Sequence, residues 1–90
     1  MPKFLIERNW PGAGLLSEEE LKDMAKQSCE VLSNQQTKVR WVKSYVTDDK
    51  LYCLYIAPDK DSLLEHASYR GLSAKKISMI RKIIDPVTAE

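Results

Sequence analysis

The side chains of this sequence that could move protons near neutral pH are His66, the only imidazole, together with Tyr45, Tyr55 and Cys53, and with Ser44 close by. An imidazole titrates in the useful range, so His66 is the natural proton carrier of the set. A buried tyrosine can donate to a developing oxyanion. Tyr45, Cys53, Tyr55 and His66 are therefore the candidate lining of a ligand pocket. Each also has an ordinary role: tyrosines mostly pack in cores with a satisfied hydroxyl, and His66 fits the edge of a helix.

Three of the four sit in one stretch, Val39 to Ala57, VRWVKSYVTDDKLYCLYIA. Its density of β-branched and aromatic residues predicts two strands joined at Thr47-Asp48-Asp49-Lys50. Simple alternation places Val42, Ser44 and Val46 with Leu51, Cys53 and Tyr55. Trp41, Tyr45, Tyr52, Leu54 and Ile56 then share the other face. A hairpin with one wet face alternates apolar and polar, whereas this one is largely apolar on both, so its second face wants a cover.

The rest of the chain supplies the supports. Lys3 to Arg8 reads as a strand, closed by Asn9-Trp10-Pro11-Gly12-Ala13-Gly14. A glycine pair before a helix invites a phosphate loop, but Ser17 stands where a dinucleotide fingerprint needs its third glycine, so a connecting loop is expected. Ser17-Glu18-Glu19-Glu20 is a capping box that opens a helix, with three glutamates at the favourable end of its dipole. Leu21, Met24, Ala25, Ser28 and Leu32 form the helix's buried stripe, and Cys29 beside them reads as a small buried hydrophobe. A second helix spans Lys60 to Arg70, capped by Asp59 or Asp61 and ended by Gly71. A short helical turn is expected at 73–76 and a last strand from Ile77 to Ile84, stopped by Asp85-Pro86.

The order β-α-β-β-α-β over a single domain, residues 1–90, is that of an α+β, ferredoxin-like fold. It predicts a four-stranded antiparallel sheet with two helices on one face. The bare face predicts a homodimer, with two sheets paired in the manner of an α+β barrel. Two function classes suit that frame. One is a small ligand-binding protein. The other, by fold analogy, is a cofactor-independent monooxygenase or isomerase acting on a small organic substrate between sheet and helices, with no organic cofactor.

Composition removes other classes. Of the residues 30% are charged, yet the formal net charge is only +1, which argues against a nucleic-acid or anionic-membrane partner. The RNA-recognition octamer would need a glycine in Lys50–Ala57, and Tyr52 and Tyr55 point to opposite faces. No apolar run reaches the length of a membrane helix, and MPKFLIERN is too short and charged for a signal peptide. Cys29 and Cys53 form no CxxC pair, so two reduced thiols and a cytoplasmic location are expected. A metallochaperone would want paired cysteines in the loop after the first strand, which has none.

Taken together, WVKSYVTDDKLYCLYIAPD, Glu65-His66-Ala67, Ile83-Ile84-Asp85-Pro86 and Thr88-Ala89-Glu90, with the opening PKFLIER and the Pro11–Gly14 loop, resemble a family of short bacterial proteins. Its function is mostly uncharacterised, and some members are described as nickel-binding. The resemblance runs nearly end to end and implies a ferredoxin-like subunit that dimerises, with metal bound at the dimer surface in some relatives. Nickel or another transition metal ion is thus the implied ligand. Nickel favours imidazole, with carboxylate and thiolate as further donors. Here that points to His66 with Glu65, Asp61 or Asp59, or to ligands shared across a dimer. Cys53 joins only if its face opens to a cavity. The chain has no HxH, HxxxH or CxxC.

Overall fold

In the computed structural model the described residues are 1–34, 38–67 and 74–90, with the side chains at 31, 34, 65–67, 74 and 75 left aside. The elements are β1 (Lys3–Asn9), α1 (Glu18–Asn34), β2 (Arg40–Val46), β3 (Lys50–Ile56), α2 (Lys60–Ala67) and β4 (Ala74–Ile80). Short 3-10 turns lie at Ala13–Leu15 and Pro86–Ala89. The four strands form one antiparallel, open sheet in the order β2-β3-β1-β4, and with the two helices this is an α+β architecture.

Alternation along β1 and β3 decides where the core sits. Phe4 and Ile6 of β1 and Leu51, Cys53 and Tyr55 of β3 are buried on one face, and the residues between them are only half-buried. Leu63 of α2 is fully buried in the same cluster, and Met24 and Leu32 of α1 pack against it. Helical spacing brings Met24 and Leu32 to one side of α1. Both helices therefore contribute to the core on that face.

The helix starts follow their local chemistry. Ser17 Oγ accepts from the Glu20 N–H at 3.1 Å, and Glu20 Oε1 accepts from the Ser17 N–H at 3.1 Å, the reciprocal pair of a capping box. Of the two candidate caps for α2, Asp59 serves: its Oδ1 accepts from the Ser62 N–H at 2.8 Å. The glycine loop is tied to the hairpin turn. Trp10 N–H donates to Asp49 O at 2.9 Å, Gly12 N–H to Asp49 Oδ1 at 3.2 Å and Gly14 N–H to Asp48 O at 3.1 Å. Those N–H groups are spent inside the protein, as befits a connecting loop. Gly12 has φ +79, and a Cβ on Gly14 would come within 2.9 Å of Asp48 Cα, so each glycine answers a specific local demand.

Four expectations are corrected. Trp41 lies on the core face opposite Tyr55, not with Tyr45, because the β2–β3 register shifts between Trp41 and Lys43. The extra residue, Val42, is a β-bulge that turns Trp41 over. Cys29 is exposed rather than buried, because its position falls just outside the stripe that meets the sheet. Ala74–Lys76 belong to a strand, not a helical turn, since Arg8 and Glu7 of β1 offer them ladder partners. Finally, β4 ends at Ile80 rather than Ile84: β1 begins at Lys3, which pairs Ile80, and supplies no partner beyond it. The ends expected for α2, at Arg70 and Gly71, lie outside the described residues.

Candidate functional site

Three places hold the residues with usable chemistry. The first is the core face of the hairpin. There Ser44 stands opposite Cys53 and Trp41 opposite Tyr55. Trp41 Nε1–H donates to Ser44 Oγ at 2.9 Å, a bond the bulge makes possible by bringing both residues to the same face. Cys53 and Tyr55 are buried, with 6% and 5% of their surface exposed, among Phe4, Ile6 and Leu63. Tyr55 has a polar or ring partner, in keeping with a packed tyrosine. Cys53 is thus a thiol largely closed off from solvent.

Tyr45 belongs to the second place, the sheet face that no described helix covers, where it is 53% exposed and stands opposite Tyr52. The sheet itself separates Tyr45 from Cys53 and Tyr55. Leu5, Leu54 and Ile56 extend this face as a half-buried apolar band. Cations border it: Lys43 Nζ lies 5.5 Å from the Tyr45 ring centroid, and Lys50 Nζ lies 3.7 Å from Glu7 Oε2. The first contact fits a cation–π pair.

The third place is α2. Its backbone carries Asp61, Glu65 and His66. The side chains of the two metal-ligand candidates, His66 and Glu65, lie outside the described residues. The carboxyl of Asp59 is held below its ordinary value of 3.8 chiefly by the backbone hydrogen bond from Ser62, with that residue's side chain adding to it. A carboxylate so held stays ionised through neutral pH, while its Oδ1 is committed to the cap. Among the described residues no group of three or more His, Cys, Asp and Glu side chains is placed to hold a metal ion.

One buried group went unremarked in the sequence. Arg8 continues the alternation of Phe4 and Ile6, so its side chain enters the core face, where only 6% of its surface is exposed and where it has a partner. Extending the period of two by one step past Ile6 would have found it.

The comparison with protein families settles the kinship. The family model described as Nickel responsive protein SCO4226-like matches residues 4–80, from the first buried residue of β1 to the last residue of β4. The chain belongs to that family. The match takes in all four strands and both helices, so it covers the folded unit rather than a motif within it. Among curated proteins and among solved structures there is no match. Among the described residues no helix is long and apolar enough to cross a membrane.

Proposed function

We propose that this chain is a small ligand-binding protein of ferredoxin-like fold that works as a homodimer and takes up nickel or a related transition metal ion. The observation that carries the reading is the family match across residues 4–80 with its description as nickel responsive. The strand order β2-β3-β1-β4, with one helix after β1 and one after β3, supports the fold assignment. The uncovered apolar band of Leu5, Leu54 and Ile56 supports pairing of two copies.

The donor chemistry narrows where the metal is held. Cys53 is buried among apolar side chains, so a surface site draws on imidazole and carboxylate. His66 is the only imidazole, and Glu65 beside it on α2 is the nearest carboxylate in sequence. Those two cannot complete a coordination sphere by themselves, because nickel with nitrogen and oxygen donors takes square-planar or octahedral geometry. The remaining ligands are water, Asp61, or groups from a second copy. The residues bind and orient the ion.

Titration calorimetry with nickel, on tag-free protein in chelator-free buffer, tests this. The native chain is expected to bind, and His66→Ala to lose at least tenfold in affinity. Equal binding by the two proteins would move the site to carboxylates alone. No binding by either would remove the nickel reading.

A further inference from the structure

The four strands carry a charge pattern that the net charge of +1 conceals. On the sheet face that no described helix covers, Leu5 and Leu54 stand side by side, with Ile56 and Tyr52 next to them along β3. Cations surround this apolar centre. The registers place Arg40 and Lys43 along β2, Lys76 on β4, and Lys3 and Lys50 at opposite ends of the two central strands. Glu7 is the one carboxylate in any of the four strands, and it lies 3.7 Å from Lys50. Within two residues of the strand ends stand Lys38, Arg81 and Lys82 against Asp48 and Asp49, so the surroundings do not cancel the excess.

Two such faces laid together set like charge against like, and they take unpaired cations out of water as they close. A second copy brings only its own Glu7 to this surface as compensation. Apolar contact between the two bands therefore needs a negative group between them. The cations are able to hold one. Arg40 and Lys43 are exposed on β2, and their long stems let the charged heads lean over neighbouring apolar surface. Lys43 Nζ, 5.5 Å from the Tyr45 ring centroid, already lies back over the face.

We propose that an organic anion with an apolar body, of the class of a medium-chain carboxylate, lies between the paired faces. Its body rests on Leu5, Leu54 and Ile56, and its charge is held by Arg40 and Lys43. This rests on the dimer reading above and names the ligand class that the interface takes up. The site is separate from the metal donors carried by α2, whose Leu63 packs into the core on the opposite side of the sheet.

Sedimentation equilibrium of the full chain tests it at low salt, where exposed charges are least screened. The probe is decanoate below its micelle threshold. Decanol serves as its uncharged counterpart and inorganic phosphate as an anion without an apolar body. The expected result is a dimer whose dissociation constant falls at least tenfold with decanoate and less than twofold with either of the others. Arg40→Gln/Lys43→Gln alters only exposed side chains, so its circular dichroism should match the native chain while its dimer responds less than twofold to decanoate. A native dimer indifferent to decanoate overturns the ligand and leaves the dimer standing. So does an equal response to decanol or phosphate, or an undiminished response in the variant. A native chain that stays monomeric with and without decanoate overturns the dimer reading and the ligand with it.

Discussion

Cys29 and Cys53 are both free thiols, but one is exposed and the other lies in the core between Ile6 and Ser44 in the sheet registers. Reactivity follows access to the thiolate, so the two should separate cleanly in a labelling experiment. Alkylation of the native protein, read by mass spectrometry, is expected to give one rapid label at Cys29. The second label, at Cys53, should appear only when denaturant opens the core. Prompt labelling of Cys53 in native protein would mean that the hairpin's core face is reachable by solutes, and would restore it as a candidate metal ligand.

Elements here begin where side chains satisfy the orphan N–H groups of a helix, and at Asp59 this couples α2 to pH. Its carboxyl is held below the ordinary value of 3.8 by the Ser62 hydrogen bond. A depressed pKa in the folded state means that the cap's contribution is fully present above the unfolded value. It falls away as pH drops through 3.8 toward the folded value. Asp59→Asn keeps an acceptor but not the charge. Urea denaturation at about pH 6 should show the variant less stable than the native chain, and at about pH 3 the gap should narrow. A gap that stayed constant across that range would show that the charge at Asp59 plays no part.

Over the whole molecule, stability depends on how two helices, one of 17 residues and one of 8, are held to one sheet face. Leu63 is the fully buried anchor of α2 in the cluster that also contains Phe4 and Ile6. Leu63→Ala removes that anchor and leaves a cavity. It should cost about 2–5 kcal/mol of folding stability, measured as a lower urea midpoint. Because α2 also carries Glu65 and His66, the same variant should weaken nickel affinity without touching a ligand. A loss of folding free energy under about half a kcal/mol would show that α2 is held from elsewhere. The opposite face of the sheet has the contrary problem. Leu5, Leu54 and Ile56 are only half-buried there, with cations beside them.

Local sequence was enough for whatever depends on neighbours in the chain. The capping box at Ser17, the turn at Thr47-Asp48-Asp49-Lys50, the alternation through Phe4 and Ile6 and the order of strands and helices could all be read from spacing and residue type. Such features depend on backbone groups a few residues apart. Trp41, β4 and Cys29 show what could not be read. The bulge at Val42 reverses Trp41 because β3 presents one residue to two of β2, which no periodicity within β2 reveals. The strand from Ala74 to Ile80 starts and stops where β1 offers hydrogen bonds, although Ile83 and Ile84 have equal β-propensity. Cys29 is exposed because the sheet meets a narrower stripe of α1 than the apolar spacing allows. The division of the candidate pocket, by contrast, was legible: simple alternation already put Tyr45 on the face opposite Cys53 and Tyr55, and the register agrees. Pairing partners distant in the chain set register, and register decides which side chains can meet.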